Sequence, residues 1–323
     1  MSGPMLEFRD VTKRFEKRLD AVERVARRLG ATVAAHTVHA VDRVSFVVNE
    51  GEVVGLVGES GCGKSTLGRL ACGLHQPTSG GVYYKGEPVN GRPVRAVQMI
   101  FQDPFSSLNP RMRVEEIVGE APRVHGLVPA AEVPDYVAQL LRRVGLDPSY
   151  RRRYPHQFSG GQRARIGIAR ALAVKPDFLV CDEAVAALDV SIQAQVLNLF
   201  MDLRESLGLT YLFISHDLGV VRHLSDRVVV MYLGRVVESA PTAELFANPR
   251  HPYTRALLAE VPRLDRKNRS FAPIKGEIPS PLAPPPGCHF HPRCPHAMPR
   301  CAQEAPALRE VAPGRLSACH LDA

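Results

Sequence analysis

Aromatic side chains are scarce in this chain of 323 residues, which has no tryptophan and only 6% aromatic residues. Proteins that hold single-stranded nucleic acid stack its bases on aromatic platforms, so this scarcity argues against that class. The formal net charge of +8 suits nucleic acid, an acidic membrane surface or no specific partner equally well. We therefore expect no nucleic-acid partner.

Long apolar runs are also missing. The longest strongly apolar stretch without charge, residues 228–233, is far shorter than the roughly 20 residues of a membrane-spanning helix. Residues 1–10 lack the apolar segment of a secretory signal. We expect a protein of the cytoplasm with one large and one smaller domain, and the hydrophobic content of 45% is enough for a sizeable core.

A glycine-rich stretch organises the chain. It matches the pattern GxxxxGKS, follows the apolar run 53–57, which predicts a buried strand, and opens a predicted helix at 67–74. In that setting backbone N–H groups converge on an anion, Lys64 reaches the β- and γ-phosphates, and the Ser65 hydroxyl binds Mg²⁺. The stretch therefore predicts a nucleoside triphosphate site made by Gly58, Glu59, Ser60, Gly61, Cys62, Gly63, Lys64, Ser65 and Thr66.

Polar residues follow three further apolar runs that predict buried strands. They are Gln102, Asp182, Glu183 and His216. The carboxyl ends of the strands form the ligand-binding edge of an open α/β sheet, so these side chains should meet the phosphate loop. Asp182 is expected to hold Mg²⁺, and Gln102 to offer an amide oxygen to the metal or to water. Glu183 suits a base for the attacking water, and His216 can hydrogen-bond the γ-phosphate.

Strands alternate with helices up to about residue 240, which predicts an α/β fold with a mainly parallel core sheet. We expect an antiparallel edge strand at 6–11 and an antiparallel hairpin around Gly234. Residues from about 105 to 160 are helical, polar and interrupted by proline, which predicts an inserted helical subdomain. A basic amphipathic helix is expected at 13–30, either lying on its own domain or docking a partner.

The composition changes near residue 250. Eleven of the 27 prolines fall between Pro273 and Pro313, which predicts a loop-rich tail. Four of the seven cysteines lie in this tail, without the CxxC pair typical of zinc sites: Cys288, Cys294, Cys301 and Cys319. Four thiols in a segment with little apolar content suggest that a metal centre supplies the missing core, and four reduced thiols without metal are the alternative. Three nearby histidines are substitute ligands if the metal is zinc: His289, His291 and His296.

Residues 158–163, Phe-Ser-Gly-Gly-Gln-Arg, resemble the signature motif of the ATP-binding-cassette (ABC) ATPases. The other motifs of that family are present in the family's order along the chain: residues 58–66 resemble the Walker A loop, Gln102 the Q-loop, residues 178–183 the Walker B strand, residues 187–189, which end in Asp189, the D-loop and His216 the switch histidine. The resemblance covers residues 6 to about 240 and implies a P-loop NTPase fold of the ABC type.

The resemblance also implies how ATP is bound. ABC ATPases form head-to-tail dimers, so the signature residues of one subunit would contact the nucleotide held by Lys64 of the other. Those residues are here Ser159, Gly160, Gly161 and Gln162. Mg²⁺ would be held by Ser65, Gln102 and Asp182. Phe15 is the expected neighbour of the adenine ring, with His36 or His39 as alternatives.

Four stretches narrow the resemblance to the dipeptide/oligopeptide (peptide/nickel) permease branch: residues 109–112, 251–258, 274–279 and 288–295. It implies a nucleotide-binding domain over 1–248 and a C-terminal domain over 249–323. It also implies an ATPase subunit at the cytoplasmic face of the membrane, partnered by a second, homologous ATPase, two transmembrane permeases and an extracytoplasmic solute-binding protein. Similar tails carry a four-iron four-sulfur cluster in some members, which the four tail cysteines would bind, with zinc as the alternative.

The function expected on these grounds is ATP hydrolysis that drives the import of di- and oligopeptides. Import of nickel or another small solute is one alternative. A soluble ABC ATPase of DNA repair or translation is another, although such proteins usually carry two cassettes or long inserts. A third is a metal or redox sensor built on the cysteine tail, with ATP turnover secondary.

Overall fold

The computed structural model describes residues 3–16, 37–103, 107–260 and 276–322. The strands are β1 (Leu6–Glu16), β2 (Thr37–Val48), β3 (Val53–Val57), β4 (Ser79–Tyr84), β5 (Glu87–Pro88), β6 (Val97–Ile100), β7 (Phe178–Asp182), β8 (Thr210–Ile214), β9 (Arg227–Tyr232), β10 (Arg235–Pro241), β11 (Arg309–Ala312) and β12 (Arg315–Ser317). The helices are α1 (Lys64–Ala71), α2 (Val114–Val124), α3 (Val133–Arg143), α4 (Gly160–Leu172), α5 (Val190–Leu207), α6 (Leu218–Leu224), α7 (Thr242–Ala247), α8 (Pro252–Ala259) and α9 (Pro299–Gln303).

The larger of two sheets has the order β11-β12-β10-β9-β3-β8-β7-β6. Strands β9, β3, β8, β7 and β6 run parallel to one another, whereas β10 is antiparallel to β9. Every residue of β3, β7 and β8 is buried, as expected for short apolar runs that are covered by helices on both faces of a parallel sheet. The prediction of an α/β fold with a mainly parallel core is confirmed, and so is the hairpin around Gly234, which joins β9 to β10.

The smaller sheet is antiparallel, in the order β2-β1-β4-β5. It corrects two predictions. The strand expected at 6–11 is present in β1, but β1 lies between β2 and β4 and is not an edge strand. Residues 13–16 also belong to β1 and are not helical, while residues 17–30 of the predicted basic helix lie outside the described residues. Lys13, Arg14, Phe15 and Glu16 each pair with a residue of β2. Pairing with a distant strand determines the backbone here, although the apolar residues recur at helical spacing.

Helices α2 and α3 form the helical part between β6 and the signature segment. Their apolar residues pack with α4, α5 and the far side of the large sheet in one core cluster. In α3 the buried positions Val133, Val137, Leu140 and Leu141 recur at steps of three and four, which places one face of the helix on that core. The predicted helical subdomain is therefore present, and it packs against the large sheet through this shared core.

The C-terminal residues extend the large sheet. Strand β12 pairs with β10 through Glu238–Ser317 and Ser239–Leu316, and β11 completes the hairpin. Tyr253 of α8 and Phe290 join Tyr232 of β9 in a buried aromatic group. Backbone hydrogen bonds and apolar packing thus attach the C-terminal segment to β10 and β9, and β9 is paired with β3, the strand that leads into the phosphate loop. Among the described helices, none combines the length and apolar character needed to cross a membrane.

Candidate active site

The phosphate loop runs from the end of β3 to the start of α1. Gly63 precedes the helix with a φ of 106°, and a Cβ atom there would lie 2.1 Å from the carbonyl oxygen of Ala40, so only glycine fits. The Lys64 side chain is buried, and its Nζ donates to the carbonyl oxygens of Gly58 at 2.7 Å and Glu59 at 3.0 Å. The loop therefore holds a positive charge at the N-terminus of a helix, where backbone N–H groups favour an anion.

Asp182 and Ser65 come together beside this loop. The Ser65 hydroxyl donates to Oδ1 of Asp182 at 2.8 Å, and Asp182 is only 3% exposed. Burial raises the pKa of Asp182, the hydrogen bond from Ser65 opposes that rise, and the charge of Glu183 adds to it. A carboxylate and a hydroxyl oxygen are ligands that suit Mg²⁺, so this pair can take a metal ion together with a phosphate.

Glu183 lies at the centre of a small polar group. Its Oε2 accepts a hydrogen bond from Nε2 of Gln102 at 2.7 Å and lies 3.4 Å from Nδ1 of His216. Glu183 has a φ of 49°, in the left-handed region, directly after the last residue of β7. The two adjacent carboxylates have different partners: Asp182 accepts from Ser65, whereas Glu183 accepts from Gln102 and lies near His216. The three strand ends are thus brought together as the sequence predicts.

A single cleft of about 550 Å³ joins these groups. It is lined by Phe15, Val38, Ala40, Ser60, Gly61, Gly63, Lys64, Ser65, Thr66, Gln102, Glu183, His216 and Pro281. The phosphate loop, Gln102, Glu183 and His216 therefore border one space. A cleft with a cationic, glycine-rich floor and a carboxylate on its wall can hold a nucleoside triphosphate and position a water molecule.

Phe15 borders the cleft and is 37% exposed. Its ring meets His75 edge-on at 5.5 Å between centroids, and Nζ of Lys13 lies 5.0 Å from its centroid. This position suits an adenine ring. His39 pairs with Arg14 in the small sheet, while its neighbours in the strand line the cleft, and His36 lies outside the described residues.

Three cleft residues were not predicted from the sequence: Val38, Ala40 and Pro281. The backbone N–H of His39 donates to the carbonyl oxygen of Pro281 at 3.0 Å, which brings the C-terminal segment to the rim of the cleft. Neither apolar strand residues nor a proline in a proline-rich run carries a sequence signal for nucleotide binding.

The signature and D-loop residues lie apart from this cleft; within the described part of the chain none of residues 159–162 borders it. Ser159 caps α4, where its hydroxyl accepts from the N–H of Gln162 at 3.3 Å and the Gln162 side chain accepts from the N–H of Ser159 at 3.0 Å. A Cβ atom at Gly160 would meet Leu188 of the D-loop at 3.7 Å, and Asp189 precedes α5. The structure brings the signature and D-loop together, but not onto the chain's own phosphate loop.

The four tail cysteines border one small void, together with His251, His291, His296 and His320. All four are free thiols, and within the described residues no three His, Cys, Asp or Glu side chains are arranged to hold a metal ion. Burial raises the pKa of Cys288 and Cys294, and it raises the pKa of Cys319 to about 11. His289 lies elsewhere: its Nδ1 is 3.0 Å from the carbonyl oxygen of Leu233.

Comparison with known proteins agrees with this geometry. Residues 41–186 match the family model described as "ABC transporter", and residues 237–301 match the one described as "Oligopeptide/dipeptide transporter, C-terminal region". Among solved structures, the chain is similar to cbiO1 from Clostridium perfringens, part of the ABC transporter complex cbiONQ, with a TM-score of 0.62 and 26% identity over 76% of this chain and 91% of that one. It is equally similar to the ATP-binding cassette MJ0796, seen as a dimer in a post-hydrolysis state with ADP and phosphate, with a TM-score of 0.62 and 26% identity over 74% of this chain and 99% of that one.

A relative with a closer sequence is the oligopeptide transport ATP-binding protein AppF of Bacillus subtilis. It is 50% identical to this chain, and the match covers 98% of this chain and 97% of AppF. Both the phosphate-loop region and the cysteine-containing tail lie within that match. The chain therefore belongs to the ABC transporter family of ATPases, among the ATP-binding subunits that carry the oligopeptide/dipeptide transporter C-terminal region.

Proposed function

We propose that this chain is the ATP-hydrolysing subunit of an importer of di- and oligopeptides. One observation carries the proposal: a nucleotide cleft and an oligopeptide-type C-terminal region occur together in a chain that matches an oligopeptide transport ATP-binding protein over nearly its whole length. The cleft supports ATP binding and hydrolysis, and the match of the C-terminal region supports peptides as the transported solute.

In this proposal the residues from Gly58 to Thr66 surround the phosphates of ATP, and Lys64 turns from the carbonyl oxygens that now hold it towards the β- and γ-phosphates. Ser65, Asp182 and Gln102 would hold Mg²⁺, which when bound neutralises charge on the phosphate oxygens. The hydrogen bond between Ser65 and Asp182 supports the assignment, because it places two oxygen ligands side by side.

Glu183 is the proposed base for the attacking water. Its carboxylate borders the cleft and is oriented by the amide of Gln102, which leaves the carboxylate free to accept a proton from water. His216, on the other side of Glu183, is exposed enough to hydrogen-bond a γ-phosphate. The phenyl ring of Phe15 is the proposed neighbour of adenine.

The site is completed by a second subunit. Ser159, Gly160, Gly161 and Gln162 form a helix N-terminus that lies off the chain's own cleft, and we propose that it contacts the ATP of a partner ATPase, with Asp189 at the same interface. ATP then joins the two subunits, and its hydrolysis removes the γ-phosphate that held them. We infer that the partner is a homologous but non-identical ATPase subunit, as the resemblance to the permease branch implies.

The other proposed partners are two transmembrane permeases and an extracytoplasmic solute-binding protein. The chain would lie at the cytoplasmic face of the membrane, attached through the permeases. Support for this comes from the match to the oligopeptide/dipeptide transporter region rather than from any spanning helix of the described chain.

We also propose that Cys288, Cys294, Cys301 and Cys319 bind a four-iron four-sulfur cluster, with zinc as the alternative. The donor set fits, since four thiols border one void and Cys₄ ligation is what such clusters use. Binding would require the thiols to turn towards one another, because the described side chains are not arranged as a metal site. Anaerobic purification with iron, sulfide and zinc analysis distinguishes a cluster, a zinc site and four metal-free thiols.

The experiment that tests the transport function is reconstitution of the chain with its partner ATPase, the permeases and the solute-binding protein in proteoliposomes. Uptake of a labelled peptide should require ATP and be lost with Lys64→Ala. Lys85→Ala, which removes an exposed lysine paired with Asp177 outside the cleft, is the matched control and should transport normally. Uptake of Ni²⁺ without peptide, or stimulation of ATPase activity by DNA or ribosomes without permease association, would contradict the proposal.

A further inference from the structure

One acidic residue of the phosphate loop, Glu59, is held by the C-terminal segment. Its carboxylate accepts two hydrogen bonds from the guanidinium of Arg293, from Nη1 to Oε2 at 2.7 Å and from Nη2 to Oε1 at 2.9 Å. Its backbone N–H donates to the hydroxyl of Tyr253 at 2.9 Å. The carboxylate and the backbone N–H of this loop residue are therefore both bonded to residues that lie after the last strand of the hairpin β9–β10.

These contacts lie outside the cleft, since Tyr253 and Arg293 are not among its lining residues. The cleft is bordered by Ser60, Gly61 and residues 63–66, but Glu59 is not among its lining residues. The same Glu59 offers its carbonyl oxygen to Nζ of Lys64 at 3.0 Å. A movement of Glu59 would therefore change the position of the lysine that meets the phosphates.

The ion pair is far better protected than a surface pair. The side chain of Arg293 is 5% exposed and that of Glu59 is 19% exposed. Arg293 also lies over the ring of Tyr232, which packs against Tyr253 and Phe290. Removing one partner of such a bidentate pair leaves the other charge poorly solvated, so the loop would have to rearrange to reach water.

We propose that Arg293 and Tyr253 are positioning residues for ATP binding: they hold the phosphate loop through Glu59 in the conformation that receives the triphosphate. They touch neither ATP nor the metal. They restrict the conformations of the free loop, so the loop loses less conformational entropy when ATP binds. Position is critical at such loops because phosphate recognition depends on backbone N–H groups at fixed places.

Arg293 also links the ATP site to the void that the four tail cysteines border. Arg293 ends the short 3-10 helix His291–Arg293, between Cys288 and Cys294, whose side chains border the void. A change in that void that shifts this helix also shifts the guanidinium at the phosphate loop. Coupling between two sites is reciprocal, so if a change at the void alters the binding of ATP, the binding of ATP should in turn alter the void and the access of reagents to its cysteines.

The test compares two arginines of the same C-terminal region in the full-length chain. Arg293→Gln removes the buried bidentate pair with Glu59. Arg300→Gln removes an exposed bidentate pair, in which the side chain of Arg300 is 56% exposed and that of Glu304 is 57% exposed. Titration calorimetry with MgATP should show a Kd raised about 10-fold or more for Arg293→Gln and changed less than about 2-fold for Arg300→Gln. Glu59→Gln should resemble Arg293→Gln, and the double variant should be no worse than the weaker-binding single one, because both remove one interaction.

A second variant and a second readout separate positioning from stability alone. Tyr253→Phe keeps the buried ring but removes the hydroxyl that accepts from the Glu59 N–H, and it should also weaken ATP binding with little change in the melting temperature. Addition of MgATP should lower the rate at which a thiol reagent modifies the tail cysteines, and this effect should be absent in Arg293→Gln. Unchanged ATP affinity in Arg293→Gln and Tyr253→Phe, with only a lower melting temperature, would overturn the proposal. So would loss of folding in Arg293→Gln accompanied by normal ATP affinity in Tyr253→Phe.

Discussion

Glu183→Gln is the substitution that tests the proposed chemistry most directly. The carboxylate borders the cleft, is 16% exposed, and keeps its place through the hydrogen bond from Gln102. Glutamine has the same shape and can still accept that hydrogen bond through its carbonyl oxygen. The change therefore removes the charge and the basicity of residue 183 and leaves the geometry of the turn after β7 in place.

The expected magnitude follows from the role of a positioned general base, which is worth about 10²–10⁴ in rate. At 1.36 kcal/mol per factor of ten this is about 2.7–5.4 kcal/mol of transition-state stabilisation. ATP binding should persist or tighten. The charge of Glu183 contributes to the raised pKa of Asp182, so its removal makes Asp182 a better anion beside the metal position.

Single-turnover hydrolysis of radiolabelled ATP by the assembled transporter separates the chemical step from binding, which is measured by the Kd for MgATP. Glu205→Gln removes an exposed carboxylate from α5, outside the cleft, and serves as the control for the loss of one negative charge. A single-turnover rate within about 3-fold of the unmodified protein, with ATP bound normally, would refute the assignment of Glu183 as the base. Loss of ATP binding would instead give Glu183 a role in holding the nucleotide.

Three further predictions concern the phosphate loop, the buried histidine and the cysteine tail. Lys64→Ala should weaken ATP binding by at least about 10-fold in calorimetry, because it removes the buried ammonium at the phosphate position, and normal affinity would contradict the loop assignment. Burial lowers the pKa of His251 to about 4 from 6.5, so this residue contributes stability above pH 6.5 that is lost as the pH falls towards 4, by up to about 3 kcal/mol. In urea unfolding the difference between the protein and His251→Asn, which can still cap α8, should therefore shrink over that pH range, and a constant difference would contradict it. Cys294→Ser should lose bound metal and lower the melting temperature in anaerobic preparations, whereas Cys72→Ser, which changes a cysteine outside the tail, should keep the metal; equal metal content in both would exclude the tail site.

The polar residues of the cleft could be predicted from the sequence because each of them follows an apolar run. Buried parallel strands must be apolar, and their carboxyl ends meet at one edge, so the order of runs and polar residues was enough to bring Gln102, Glu183 and His216 to the phosphate loop. The helix predicted over residues 13–30 was wrong at residues 13–16, the part that the structure describes, for a related reason. Apolar spacing records which residues face the core, but pairing with β2 decides whether the backbone there is helix or strand.

The α/β architecture, the nucleotide chemistry and the family can be predicted from the amino-acid sequence, since they depend on short motifs and on local periodicity. The contact between the C-terminal segment and the nucleotide site cannot, because it depends on the tertiary fold. Arg293 and Glu59 are 234 residues apart, and the ion pair between them exists because β12 extends the large sheet and Tyr232, Tyr253 and Phe290 pack together beneath the phosphate loop. No sequence pattern predicts that these two residues are in contact, because contacts of such long sequence separation depend on how the packed layers fit and not on local propensity.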